Sequence, residues 1–172
     1  MAFLLNIWSV KIMIKQAIFA GGCFWGMEAK FKHVQGVVNT MVGYTGGHTV
    51  NPNYRDVCRD MTGHAEAIQV EYDPEIISYK DLLEAFFTFH DPTLCESNSR
   101  SFASQYRSAI FVANDEERET AGQVIAFLNN SGEYECKIIT EICDADVFYP
   151  AEEYHQDYYE KHQVILTDEC GC

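Results

Sequence analysis

The chain has 172 residues, which leaves room for one compact domain and little else. Its 26 acidic and 12 basic residues give a formal net charge of −14, which excludes a nucleic-acid binder and disfavours an anionic lipid surface. With 47% hydrophobic and 13% aromatic residues, it is too apolar for a disordered acidic tail and can bury a core.

The N-terminal stretch from Met1 to Val10 is apolar, but it lacks a basic n-region, since its first lysine is Lys11, and no A-x-A-like site follows. No run approaches the roughly 18 apolar residues of a membrane span. Residues 1–14 are therefore read as an extension preceding the domain. The alternation that follows begins with a short strand at 16–20, which runs into Gly21-Gly22-Cys23. A helix over 24–31 is stopped by Gly36, and a strand resumes at 37–42. A turn-rich stretch, 43–63, carries Gly46-Gly47 and Asn51-Pro52-Asn53.

Residues 65–72 give the clearest strand, with Ile68, Val70 and Tyr72 alternating against Gln69 and Glu71. Ser78 caps a helix that reaches His90, and Asp91-Pro92 closes it. A strand at 108–112 precedes a helix capped by Asn114, whose Asp115, Glu116 and Glu117 suit its positive end. Gly132 follows that helix, and 137–142 reads as the last strand. The remainder is polar and irregular, apart from a short helix near 151–159. The expected fold is α+β, a single domain of about four to five strands with helices packed on the sheet. Residues 160–172 form its tail.

Cys23 is the first chemical candidate. It stands between a strand and a helix, after two glycines that permit a tight turn. The positive end of a helix favours thiolate over thiol, which makes such a cysteine a nucleophile. Glu66 is the second. Extending the strand alternation backwards places it on the apolar face, where burial raises a carboxyl pKa and suits it to general acid work. If the strand begins after residue 66, Glu66 is instead solvated. The long turn segment offers Tyr44, His48, Tyr54, Cys58 and His64.

Seven cysteines, an odd number, fit a reducing compartment and a cytoplasmic location better than a disulfide framework. Cys170-Gly171-Cys172 is a thiol pair that can resolve an oxidised cysteine elsewhere. As a metal signal it is weak, because metal knuckles use C-x₂₋₄-C and come in pairs. Cys136, Cys143, His155 and His162 have no regular ligand spacing to complete it.

Gly22-Cys23-Phe24-Trp25-Gly26 resembles the active-site motif of the type A peptide methionine sulfoxide reductases. The rest of the pattern follows in the family's order: Gly43-Tyr44-Thr45-Gly46-Gly47, Asn51-Pro52-Asn53-Tyr54, Gly63-His64-Ala65-Glu66, Tyr72-Asp73-Pro74, His90-Asp91-Pro92, Gln105-Tyr106-Arg107-Ser108 and Ala151-Glu152-Glu153-Tyr154-His155-Gln156. The likeness runs from about residue 16 to 160.

The resemblance implies a ferredoxin-like two-layer core with a mixed sheet, and reduction of methionine S-sulfoxide, free or in proteins. It implies that Cys23 attacks the sulfoxide sulfur, that Glu66 protonates the departing oxygen, and that Tyr54 and Tyr106 hold that oxygen. Phe24 and Trp25 would enclose the substrate methyl. The resulting Cys23 sulfenic acid would condense with Cys170 or, second, Cys172, with Cys58 and Cys95 in reserve, and thioredoxin would reduce the disulfide. No metal or organic cofactor is implied, and a monomer is expected. The family carries an aspartate in the loop before Gln-Tyr-Arg-Ser. An ungapped reading puts Ser101 there, a hydroxyl that can accept a hydrogen bond but brings no charge.

Overall fold

A computed structural model describes residues 13–93 and 104–164. The first strand, β1 (Lys15–Gly21), leads into α1 (Phe24–Phe31), which is followed by β2 (Val37–Thr45), α2 (Tyr54–Cys58) and β3 (Ala65–Tyr72). Then come α3 (Tyr79–Thr88), β4 (Ser108–Val112), α4 (Asp115–Ser131), β5 (Glu141–Asp144), β6 (Tyr149–Pro150) and α5 (Tyr158–Lys161).

The six strands form one sheet in the order β5-β4-β1-β3-β2-β6. The central four alternate in direction, while β5 runs parallel to β4. With a helix after β1 and another after β3, the centre is a split βαβ, ferredoxin-like arrangement in a mixed sheet, as the resemblance implies.

The local reasons are visible in the chain. Ser78 accepts from Asp81 N–H while the Asp81 carboxylate accepts from Ser78 N–H, a capping box that starts α3. Asn114 caps α4 through Glu117 N–H, and Gly132 ends it in the left-handed conformation. One face of the sheet packs Phe19, Ile68, Val70 and Ile110 against Phe31 of α1, Leu83 and Phe86 of α3 and Val124 of α4. The other carries small residues, Ala20, Ala65, Ala67 and Ala109, beside Phe111. That makes β3 buried on both faces near its start, where the site lies.

The structure departs from the sequence expectation in five places. β2 continues to Thr45, because its partner β3 pairs Thr45 with Ala65. The turn-rich stretch contains α2, begun by Asn53, whose side chain accepts from Asp56 N–H. The last expected strand is displaced: Ile138 makes a lone bridge with Thr93, and β5 starts at Glu141, where pairing with Ala109 begins. The edge strand β6 was not expected. Near 151–159 the chain forms a 3₁₀ turn at Glu153–His155 before α5.

Candidate active site

Gly22 sits at φ +92, a conformation that favours glycine, and turns the chain from β1 into α1. Gly21 before it is packed so closely that a Cβ would lie 2.9 Å from the Phe86 ring. Together they bring Cys23 to the N-cap of α1, with extended backbone and a carbonyl that accepts from Met27 N–H. Phe24 is buried in the wall and Trp25 lies half-buried beside it, their rings 6.3 Å apart.

The backbone N–H of Phe24, the residue after Cys23, donates to Oε2 of Glu66 at 3.2 Å. Glu66 is 1% exposed on β3 and faces inward with Ile68, Val70 and Tyr72, as the alternation predicts. Its other oxygen, Oε1, is buried and accepts no hydrogen bond. Burial lifts the carboxyl to about 7, only partly offset by the Phe24 N–H. At neutral pH it is therefore poised between acid and carboxylate.

Tyr54, first residue of α2, and Tyr106, last of the 3₁₀ turn Ser104–Tyr106, both stand close enough to Glu66 to feel its charge. Tyr106 also feels Cys23. Burial first, then the neighbouring Glu66, pushes the Tyr106 hydroxyl up to about 12. Burial and a hydrogen bond to Cys58 hold Tyr54 far above its ordinary range. Both hydroxyls thus remain protonated donors.

The final segment closes the site from the far edge of the sheet. β6 pairs with Gly43 and Tyr44 of β2, and the Gln156 amide brackets Val42, accepting from its N–H at 2.9 Å and donating to its carbonyl at 2.8 Å. This delivers Glu152, whose carboxylate accepts from Tyr54 N–H and from the Tyr44 hydroxyl, each at 2.9 Å. It also delivers His155, 1% exposed, which accepts from Trp25 Nε1–H at 3.1 Å. Tyr158 stacks on Trp25 with ring centroids 3.8 Å apart.

Cys23, Phe24, Trp25, Tyr54, Glu66 and Tyr106 thus converge from four elements. Ser101, Cys95, Cys170 and Cys172 lie outside the described residues. Sequence reasoning names Tyr44 only as a candidate of the turn-rich stretch and His155 only as a ligand of irregular spacing, and it gives Glu152 and Gln156 no role. The Ala151–Gln156 run was visible as a motif, but nothing local tells that it docks on β2. The expectation that no cysteine is paired fails at Cys136, which is disulfide-bonded, while Cys58 and Cys143 are thiols. Among the described residues, no group of three or more His, Cys, Asp or Glu side chains is placed to hold a metal.

The sequence profile of the family described as peptide methionine sulfoxide reductase matches residues 15–169 of this chain. The chain belongs to that family. Peptide methionine sulfoxide reductases are oxidoreductases, and this chain is similar to many of them. The MsrA of Methanothermobacter thermautotrophicus is 48% identical over 148 residues, covering 86% of this chain and 88% of that one.

Among solved structures, reduced Mxr1 from Saccharomyces cerevisiae superposes with a TM-score of 0.80 at 33% identity, covering 90% of this chain and 88% of that one. The same yeast protein in complex with Trx2 gives a TM-score of 0.59 at 27% identity, covering 84% of each chain. Among the described residues, no helix is long and apolar enough to cross a membrane.

Proposed function

We propose that the protein reduces methionine S-sulfoxide, free or in proteins, by thiol chemistry at Cys23, so repairing oxidised methionine. The observation that carries this reading is the Glu66 carboxyl. It is buried one residue's reach from Cys23, anchored by Oε2 on Phe24 N–H, with Oε1 left without a partner. A protonated Oε1 is a hydrogen-bond donor waiting for an acceptor, and a sulfoxide oxygen is such an acceptor.

The thiolate of Cys23, favoured by its place at a helix start, attacks the sulfoxide sulfur. Glu66 supplies the proton to the sulfoxide oxygen, and the Tyr54 and Tyr106 hydroxyls donate to the same oxygen as charge develops on it. Methionine leaves, the oxygen passes to sulfur of Cys23, and the cysteine becomes a sulfenic acid. The sulfoxide is reduced by two electrons and Cys23 is oxidised by two. A second thiol then displaces water from the sulfenic acid and forms a disulfide. Cys170 is the first candidate for that thiol and Cys172 the second. Cys58, exposed at the end of α2, is a reserve together with Cys95.

Phe24 and Trp25 form the apolar wall against which the substrate methyl rests, and Ser101 supplies a neutral hydroxyl toward the substrate. A dithiol protein of the thioredoxin class returns the disulfide to thiols, a step that the yeast relative's complex with Trx2 supports. No metal or organic cofactor enters this sequence. The same chemistry calls for a reducing compartment such as the cytoplasm.

A thioredoxin-coupled assay on the S and R epimers of free and peptidyl methionine sulfoxide tests this reading. Turnover of the S epimer alone is expected; equal turnover of both, or of neither, overturns it. Peptide mapping after one turnover without reductant should find Cys23 joined to Cys170 or Cys172. A bridge to Cys58 or Cys95 would refute the tail assignment.

A further inference from the structure

We propose that Arg107 is a positioning residue for the reaction, whose guanidinium clamps the turn that carries Tyr106 to the strand pair that carries Glu66. This rests on the reductase reading, in which Tyr106 and Glu66 act on one sulfoxide oxygen.

The turn needs holding. Ser104–Tyr106 is three residues of 3₁₀ helix, and its closing backbone hydrogen bond, from Arg107 N–H to the Ser104 carbonyl, is 3.3 Å long. So short a turn with so long a bond has little stiffness of its own. It also buries Gln105 to 4% exposure and leaves that side chain's oxygen without a hydrogen-bond partner. Burying an unpaired amide oxygen opposes the turn rather than supporting it.

Arg107 supplies the stiffness from its side chain. Nη1 donates to the same Ser104 carbonyl at 2.9 Å, so the start of the turn is held twice. Nη2 donates to the Gly46 carbonyl at 3.3 Å, and Nε lies 3.6 Å from a carboxylate oxygen of Glu141 on β5. A planar fork serves two carbonyls at once in a fixed geometry, which a lysine ammonium does not.

The Gly46 carbonyl is a firm anchor. Thr45 before it pairs with Ala65, Tyr44 pairs with Glu66, and Gly47 N–H after it donates to Nδ1 of His64 at 3.0 Å. The approach requires bare backbone, because a Cβ at Gly46 would stand 2.6 Å from the Phe111 ring and 3.0 Å from Nη2 of Arg107. Tyr106 lies between Ser104 and Arg107, and its hydroxyl stands close enough to Glu66 and Cys23 to feel both charges. Glu66 is placed by a strand and Tyr106 by a turn some forty residues on, yet both must address one oxygen. Two donors so placed need a common reference, and the Arg107 fork connects their supports.

Two variants and one background separate positioning from support of the fold. Arg107→Met keeps the stem and removes the donors; Arg107→Lys keeps the charge and loses the fork. The Tyr106 hydroxyl acts as charge develops on the oxygen, so its displacement falls on the rate of the chemical step rather than on substrate binding. In single turnovers of a methionine S-sulfoxide peptide, Arg107→Met is expected to lower the saturating rate of methionine release about tenfold. The half-saturating peptide concentration should stay within about twofold, and Arg107→Lys should fall between Arg107→Met and wild type. In a Tyr106→Phe background Arg107→Met should cost no further rate, since the hydroxyl it positions is gone. An equal loss in both backgrounds means that Arg107 only supports the fold, and overturns the proposal. A wild-type rate in Tyr106→Phe or in Arg107→Met overturns it as well.

Fluorotyrosine-labelled protein supplies a reading that needs no turnover. Of its 10 tyrosines, the one whose fluorine resonance disappears in Tyr106→Phe is Tyr106. That resonance is expected to shift in Arg107→Met, and an unchanged resonance overturns the clamp. Wild-type protein that turns over no sulfoxide overturns the reductase reading instead, and the resonance then decides the clamp by itself.

Discussion

Glu66 accepts the backbone N–H of Phe24 on one carboxyl oxygen, at 3.2 Å, and keeps the other buried without a hydrogen-bond partner. The peptide that bears this N–H joins Phe24 to Cys23, so the Glu66 carboxyl is tied to the backbone of Cys23. In the proposed reaction, movement of one would carry the other and keep the Glu66 proton aligned with the sulfoxide oxygen as Cys23 attacks the sulfur.

The first prediction concerns pH. Glu66 must be protonated to donate, and its carboxyl sits at about 7. Methionine release in a single turnover should therefore decline as pH rises through about 7, with Cys23 alkylation by iodoacetamide used to separate the thiolate contribution. Glu66→Gln should slow release strongly and abolish that alkaline limb. A Glu66→Gln profile that keeps both the rate and the limb would remove Glu66 from the acid role.

The same group sets a stability prediction in which its replacement has the opposite effect, a gain in place of a loss. Its folded pKa is raised above the ordinary 4.5, so the folded state holds the proton longer than the unfolded chain. Stability is lost as pH rises between those two values and then levels off. Glu66→Gln removes this cost, and should raise unfolding stability above pH 7 by about 3 kcal/mol, measured by urea titration. A destabilised Glu66→Gln protein at pH 8 would contradict it.

His90 titrates with the other sign. Burial holds its imidazole down to about 4, and its Nδ1–H donates to the Phe86 carbonyl while Nε2 accepts from the Ser108 hydroxyl. Because the folded pKa lies below the ordinary 6.5, stability is present above that value and lost as pH falls toward 4. His90→Gln should flatten this acid slope in urea titrations between those limits. A slope identical to wild type would assign the acid loss elsewhere.

Much of this arrangement is legible in the chain. Period-two alternation through Ile68, Val70 and Tyr72 turns Glu66 inward, and Gly21-Gly22 before a helix start places Cys23, because both are local rules. Tyr44, Glu152 and His155 follow no such rule. Glu152 lies 98 residues from Tyr54 in sequence, and only docking of the final segment on β2 brings them together. α2 escaped for a different reason: five residues are too short for an apolar stripe to show a period, leaving the Asn53 cap as its one signal. The two-residue strand β6 is likewise too brief to alternate.

Glu152 should therefore behave as a structural clamp of the site. Glu152→Ala leaves Tyr54 N–H and the Tyr44 hydroxyl without acceptors, a loss of about 1–3 kcal/mol in unfolding stability. KM for sulfoxide should rise, because Tyr54 is no longer held. Glu152→Gln keeps both contacts through its carbonyl and amide geometry only in part, and should fall between. Wild-type stability and KM in Glu152→Ala would show that the clamp is idle.

The most direct measurement is a single turnover without external reductant, comparing wild type with Cys23→Ser on a methionine S-sulfoxide peptide. About one equivalent of methionine per wild-type enzyme and none from Cys23→Ser is the predicted result. Release of methionine from Cys23→Ser at the wild-type rate would contradict it.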